Sequence, residues 1–117
     1  MALSNTVMIL NGASISGSLN LGDPALDAGY TPSRILLPDA WTAASITFQV
    51  SADGTNFRDL YDENGNEIIY PAAANRAVIV NEPDMKRHNY LKIRSGTSST
   101  PVNQGADRII TVVKIPG

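Results

Sequence analysis

Turn-forming residues interrupt this chain so often that no long helix fits between them. Asn-Gly and Asp-Gly pairs and prolines form tight turns or stop regular structure. The turn signals are Asn11-Gly12, Gly22-Asp23-Pro24, Pro38-Asp39, Asp53-Gly54, Asn64-Gly65, Pro71, residues 81–84, Ser95-Gly96, Pro101 and Gln104-Gly105. Short segments between closely spaced turns are typical of strands. The chain is therefore predicted to be all-β.

The segments between the turns have the composition and period of strands. In residues 45–51 apolar and polar side chains alternate, which indicates a half-buried strand. Its expected inward residues are Ile46, Phe48 and Val50, and its expected outward residues are Thr47, Gln49 and Ser51. Further strand candidates are 15–21, 33–38, 58–62, 67–70, 76–81, 90–95 and 108–115. Roughly eight strands at this spacing predict a single-domain antiparallel β-sandwich or barrel.

The 117 residues are predicted to form one domain, 1–117, with residues 1–12 as an extended N-terminal arm. Residues 24–28 and 39–44 are the best helix candidates, and each holds a turn or two at most. Residues 95–107 are small and polar, so we expect a mobile loop unless a partner orders it.

Composition excludes several classes of function. The chain has no cysteine, which rules out disulfides, thiolate zinc sites and a cysteine nucleophile. Its net charge is -2, and its basic residues are scattered apart from Lys86, Arg87 and His88, so we expect no nucleic-acid partner. The first residues have neither a basic region nor a long apolar run. We therefore expect no membrane partner, and synthesis in the cytoplasm.

The inventory of reactive side chains argues against an enzyme. His88 is the only histidine, and no serine lies in a motif that would expose and activate it. Four carboxylates flank a predicted hairpin turn, where we expect them to be hydrated rather than paired in a cleft. They are Asp59, Asp62, Glu63 and Glu67.

The acids and amides between Asp53 and Glu67 raise the question of a metal site. Oxygen ligands packed into one turn suit calcium, but the spacing in "DENGNE" is not that of an EF-hand loop. Asn64-Gly65 instead predicts a type I′ hairpin turn, and Asp53-Gly54 predicts a reversal in which Asp53 accepts hydrogen bonds from nearby amides. We expect no metal and no cofactor.

The aromatic residues have competing interpretations. Trp41 is the only tryptophan, and its small neighbours favour packing at the end of the sandwich over a sugar-stacking platform. Phe57 and Tyr61 are predicted to share a strand face and to pack beside Phe48.

Two resemblances follow from these residues. "AWTAASITFQVSADGTNFRDLYD", with "HNYLKIRSG" and "RIITVVKI" later, resembles the discoidin, or galactose-binding-like, jelly roll. Ser51, Asp53, Gly54 and Phe57 match that family's Ser-x-Asp-Gly-x-x-aromatic strand end. The resemblance implies a jelly-roll sandwich and, as the alternative function, a carbohydrate-binding module that contacts a host surface glycan.

The second resemblance is to small virion-associated proteins of tailed bacteriophages. It is carried by "ILLPDAWTAASITFQVSADG" and by "YLKIRSGTSSTPVNQGADRIITVVK". It implies a non-enzymatic capsid decoration or head-fibre protein on the capsid surface, as a homo-oligomer that binds the major capsid protein or another virion protein. Candidate contacts with a partner or glycan are Trp41, Asp53, Asn56, Asn64, Ser98 and Gln104.

Overall fold

A computed structural model describes residues 3–23, 26, 29–86 and 88–117. Within these ranges there are eight strands and one short helix. The strands are β1 (Leu3–Ile9), β2 (Leu19–Asn20), β3 (Tyr30–Leu36), β4 (Ile46–Ser51), β5 (Arg58–Asp59), β6 (Ala77–Ile79), β7 (Tyr90–Ser95) and β8 (Arg108–Pro116). The helix α1 (Glu82–Met85) precedes β7.

The strands form two four-stranded antiparallel sheets. The first sheet has the order β1-β8-β3-β6, and the second has the order β2-β7-β4-β5. This interleaving of early and late strands is that of an eight-stranded jelly roll, in which two Greek keys close a sandwich. The fold prediction is therefore confirmed.

The core lies between the two sheets and is built mainly from the inward-pointing side chains of the longer strands. Phe48 is fully buried, and the ring of Tyr70 packs edge-on against it with 5.9 Å between the centroids. The prediction that Phe57 and Tyr61 would fill this position is wrong, because Tyr61 is exposed and Phe57 lies under the ammonium of Lys92. The buried apolar residues are Val7, Ile9, Leu19, Leu21, Ile35, Leu37, Ile46, Phe48, Leu60, Ile68, Val78, Val80, Met85, Leu91, Ile93, Ile110 and Val112.

The N-terminal segment is a strand of the first sheet. From Leu3 opposite Lys114 to Ile9 opposite Arg108, β1 pairs with β8 without a break in register. Val7 and Ile9 bury their side chains in the core. In the described part of the segment 1–12, the predicted arm is thus an edge strand that ends at the Asn11-Gly12 turn.

The structure does not contain the predicted helix at 39–44, and most of the other predicted helix lies outside the described residues. Four of the five residues in 24–28 lie outside the described residues. Residues 39–44 are not helical, because both backbone groups of Thr42 bond the side chain of Gln104 instead. The helix that forms is α1, at a predicted turn, with buried Met85 anchoring it. Among the described residues, no helix has the length and apolar character needed to cross a membrane.

The predicted mobile loop at 95–107 is tied to the body of the domain by its backbone. Gly96 N donates to Ser45 O at 2.7 Å, and Gln104 N donates to Ala13 O at 2.9 Å. Val102 N donates to Ser95 O at 2.9 Å, which closes the loop on itself. Hydrogen bonds thus supply the anchoring that its composition could not supply by apolar burial.

Candidate functional site

The turn between β4 and β5 is held by the side chain of Asp53. Its Oδ1 accepts hydrogen bonds at 2.8 Å from the amides of Thr55 and Asn56, and its Oδ2 accepts one from the Asn56 side chain at 2.9 Å. These bonds, led by the one from the Asn56 amide, hold the pKa of Asp53 well below its usual range. Gly54 takes the positive φ that the reversal needs, +81°. The predicted Asp53-Gly54 turn is confirmed.

Beside this turn lies a cleft of about 440 Å³, which we call the end cleft. The Asn89 amide closes one side by donating to Ala52 O at 3.1 Å. His88 is held in place because its Nε2 donates to the carbonyl of Asp84 at 2.9 Å. The end cleft is lined by Val50, Ser51, Ala52, Asp53, Asn56, Arg58, His88 and Asn89. In the described ranges, no group of three or more His, Asp or Glu side chains could hold a metal ion.

The Asn64-Gly65 turn is not of the predicted type I′. Among the described residues other than glycine, positive φ occurs at Asn75 and not at Asn64, whereas Gly65 has φ +83°. Oδ1 of Asp62 accepts hydrogen bonds from the amides of Asn64 and Asn66, both at 2.9 Å, and Gly65 N donates to Asp62 O at 3.1 Å. The carboxylate of Asp62 therefore organises the turn, which leaves the Asn64 side chain exposed.

Two of the four carboxylates predicted to be hydrated form an ionic cluster around a buried arginine, and the side chains of Glu67 and Asp59 are 10% and 34% exposed. Arg94 on β7 is 5% exposed, and its guanidinium pairs with Asp59 and, at 3.3 Å, with Glu67. We call these three residues the Arg94 clamp. The prediction failed because the two acids are eight positions apart, and only the fold brings Arg94 between them. Removing one partner of such an ion pair strongly destabilises the fold, because the remaining charge is left without its counter-charge.

The Arg94 clamp also anchors the loop that follows β7. Ser98 N donates to Oε2 of Glu67 at 3.1 Å, and Tyr61 OH lies 3.4 Å from the Ser98 hydroxyl. Thr47 donates to Gly96 O at 2.8 Å. Thr47 is fully buried, so its predicted exposure is wrong, because this loop and the residues after β5 cover the outer side of β4.

Ser51 was also predicted to face solvent, and that prediction is wrong too. Ser51 is buried, because its hydroxyl is used by the β4–β5 turn. Its Oγ donates to Oδ1 of Asp53 at 2.9 Å and accepts from the amide of Gly54 at 2.9 Å. Gln49 on the same strand is half-buried and bonds Asp59 through its amide at 3.1 Å.

Trp41 and Gln104 lie at the other end of β4 and have structural contacts. Gln104 is 1% exposed, and its amide bonds both the N–H (2.8 Å) and the C=O (3.1 Å) of Thr42. Arg108 Nε donates to the same Gln104 oxygen at 3.0 Å. Trp41 is half-buried against the core and donates its indole N–H to Ala44 O at 3.1 Å.

The structure thus disperses the six candidate contact residues. Asp53 and Asn56 meet in the end cleft, and Asn64 lies at the hairpin tip between β5 and β6. Ser98 is bound to the Arg94 clamp, while Trp41 and Gln104 brace residues 41–45. Of the six, only the first three combine side-chain exposure with a position beside a cleft.

A surface that the sequence did not reveal lies on the outer side of the first sheet. Met8 pairs with Ile109, Leu36 pairs with Thr111 two residues further along β8, and Arg34 pairs with both Val113 and Ile79. Paired residues share a face, so four large apolar side chains point outward together. They are Met8 (39% exposed), Leu36 (37%), Ile79 (67%) and Ile109 (54%), which we call the apolar face.

The apolar face was missed because β8 is apolar on both sides. In "RIITVVKI" the buried residues Ile110 and Val112 alternate with outward Ile109, Thr111 and Val113, so Thr111 is the one polar side chain among these three outward positions and does not mark the side as exposed. A strand that is apolar on both sides is the available signal, since it is expected in sheets that are covered on both faces.

The candidate functional surfaces are therefore the end cleft and the apolar face, with the Arg94 clamp as an internal brace. A function for the chain has to be inferred from these residues and their geometry. No protein-family model, no curated protein and no solved structure matches the chain.

Proposed function

We propose that the protein is a non-enzymatic structural component of a tailed-bacteriophage virion, which binds the capsid surface in many copies. The observation that carries the proposal is the apolar face, where Ile79 and Ile109 expose more than half of their surface. Contiguous exposed apolar side chains on one sheet face are typical of protein interaction sites. A sheet face of this kind suits a broad protein partner such as the major capsid protein.

The arrangement of the polar groups supports a structural role. The Arg94 clamp, the Gln104 amide and the Asp53 carboxylate are all engaged within the chain. Groups bound in this way stabilise loops and are poorly suited to acid–base chemistry on a substrate. Jelly rolls also occur in viral capsid and lectin domains, which is a likeness of fold and by itself assigns no function.

The virion assignment itself comes from the sequence resemblance to small tailed-phage proteins. Repeated copies on a symmetric shell would turn a modest contact at each apolar face into strong overall attachment, because many weak contacts act together. Arg34 lies among the apolar side chains, between Val113 and Ile79, and would supply a polar contact within the interface.

The test is binding to particles made from the genome that encodes the protein. Mass spectrometry of purified virions should detect the chain, and the purified protein should co-sediment with particles that lack it. Ile79→Asp and Ile109→Asp should abolish co-sedimentation, since each places a charge in the contact. Ile69→Asp is the matched control, because Ile69 is also an exposed isoleucine (45%) but lies outside the apolar face.

Three results would contradict the proposal. The first is absence of the chain from virions, and the second is failure to co-sediment. The third is equal loss of binding with Ile69→Asp, which would show that the apolar face has no special role.

A glycan-binding function is a second candidate, and the end cleft favours it. Asp53, Asn56, Arg58 and Asn89 bring amide and charged groups to one opening of about 440 Å³, and sugar sites use such groups to fix orientation. Trp41 lies at the opposite end of β4 and is not part of this cleft. Glycan binding that is lost in Asn56→Ala and kept in Asn64→Ala would support this function, and its absence across a broad glycan panel would remove it.

A further inference from the structure

The four edge strands of the described structure differ sharply in length. The first sheet ends in β1, with seven residues, and in β6, with three. The second sheet ends in β2 and β5, each with two residues. Short edge strands offer few unpaired backbone groups to another chain. β1 is therefore the one described edge long enough to accept a further strand.

β1 also lacks the other features that protect an edge. Proteins usually place lysine, proline or a bulge there to block pairing with another chain. Residues 3–9 contain no charged residue and no proline, and the register with β8 is unbroken. The first charged side chain in the whole sequence is Asp23. Nothing in the strand itself opposes the addition of another strand.

The hydrogen bonds show which residues of β1 direct backbone groups outward. Met8 O accepts from Gly17 N at 3.2 Å, so the backbone of Met8 faces away from β8. Asn11 N bonds the side chain of Asp107, which lies next to β8, so the odd residues face that strand. Because the direction alternates along a strand, Ser4 and Thr6 also face outward. Among the described residues nothing bonds these outward groups of Ser4 and Thr6.

We propose that β1 pairs antiparallel with β1 of a second copy of the chain, about a two-fold axis at Asn5. In this register Ser4 of each copy lies opposite Thr6 of the other, and the two residues exchange N–H and C=O bonds. Leu3, which is 40% exposed, lies opposite Val7 of the second copy. Pairing stops before Met8 O, which Gly17 already occupies.

A second copy fits this edge better than an unrelated strand does. Each copy has two residues, Ser4 and Thr6, whose outward N–H and C=O groups are unpaired among the described residues. A two-fold axis at Asn5 pairs these groups on both copies and leaves none of them without a partner. The contact is uncharged on both sides, so self-association brings no like charges together. The pairing also places both apolar faces on the same side of one eight-stranded sheet. The inference goes beyond the proposed virion function and does not depend on it.

Disulfide trapping tests the register, because the chain has no cysteine of its own. In the proposed pairing the two Asn5 residues form a pair without hydrogen bonds, whose Cα atoms are about 4.5 Å apart, within the range of a disulfide. Asn5→Cys should therefore give a covalent dimer quickly under mild oxidation. Thr6→Cys is the control, because its two copies are offset by two residues and should cross-link slowly. Equal rates, or a faster rate for Thr6→Cys, would overturn the register.

Proline substitution tests the pairing without cross-linking. Thr6→Pro removes an outward N–H that forms no hydrogen bond to the described residues of the monomer. The variant should therefore stay folded, because edge strands tolerate proline at positions whose N–H faces solvent. Two of the four intermolecular bonds are lost, and the dimer dissociation constant should rise roughly tenfold or more.

Sedimentation velocity over a concentration series measures this change. Wild type should move from monomer to dimer as concentration rises, and Thr6→Pro should make the same transition only at concentrations roughly tenfold higher or more. A wild-type protein that stays monomeric throughout, or a Thr6→Pro variant that dimerises as wild type does, would overturn the proposal whether or not the protein binds virions.

Discussion

The outer sides of the two sheets are opposite in character although both flank the same core. On the second sheet, Arg94 and Thr47 are buried beneath the residues after β5 and the loop after β7. On the first sheet, Ile79 and Ile109 are left uncovered. The second sheet therefore buries polar side chains on its outer side, whereas the first sheet exposes apolar side chains on its outer side. The outer side of the second sheet is thus covered by the chain itself, whereas the outer side of the first sheet leaves large apolar side chains exposed.

The largest effect is expected from removing the cation of the Arg94 clamp. Arg94→Met leaves Asp59 and the mostly buried Glu67 without a counter-charge, which should lower the free energy of unfolding by about 3 kcal/mol. Urea unfolding followed by Trp41 fluorescence measures this loss. Arg34→Met, the same change at an exposed site on the first sheet, should stay within about 0.5 kcal/mol. Equal losses would erase the contrast between the sheets.

A smaller loss is expected where the loop after β7 turns over the second sheet. Gly96 has φ +88°, and a Cβ there would lie 2.5 Å from Thr100 O and 2.7 Å from Val102 N. Gly96→Ala should therefore cost about 2 kcal/mol or more from strain and overlap. Gly12→Ala has a similar φ of +80° but open space around the new methyl, so it should cost about 1 kcal/mol. Thermal unfolding of the two variants separates the steric part from the backbone part.

The next effect is the contribution of the Asp53 carboxylate to stability, which should change only at acidic pH. Because the folded protein holds the pKa of Asp53 below its usual value, the ionised form contributes stability above about pH 4. That contribution is lost as pH falls through the depressed folded pKa. Asp53→Asn should flatten the fall in unfolding free energy between about pH 4 and pH 2, relative to wild type. Parallel curves for the two proteins would show that the β4–β5 turn does not act through its charge.

The smallest effect on stability is expected on the apolar face. Ile79→Asp replaces a side chain that is mostly in water, so the free energy of unfolding should change by no more than about 0.5 kcal/mol. The same substitution should abolish particle binding under the proposed function. Calorimetry and co-sedimentation on one preparation check both statements. A large loss of stability would mean that Ile79 belongs to the fold and not to an interface.

The sequence predicts the strands well because turn chemistry and alternation are local. The Asp53-Gly54 reversal follows from two neighbouring residues, and β4 follows from a period of two. The Arg94 clamp could not be predicted in the same way, because Arg94, Asp59 and Glu67 meet only after β7 pairs with β4.

The candidate site was harder to predict than the fold for a related reason. The preference of asparagine for positive φ predicts that conformation at Asn64, but the side chain of Asp62 holds the turn in another form. The sequence around Gln104 is typical of an exposed loop. In the structure, however, the side-chain amide of Gln104 bonds the N–H and the C=O of Thr42, as a neighbouring strand would. In both cases a side chain competes with the local backbone preference, and a single sequence does not show which one prevails.

The pairing of β1 with β8 has a consequence for biosynthesis. Leu3 finds its partner only in Lys114, so β1 stays unpaired until nearly all of the described chain has been made. Such distant pairing slows folding and prolongs the exposure of aggregation-prone strands. The uncharged β1 is thus most vulnerable to intermolecular pairing during synthesis. Expression at low temperature or with abundant chaperones should therefore improve the yield of soluble protein.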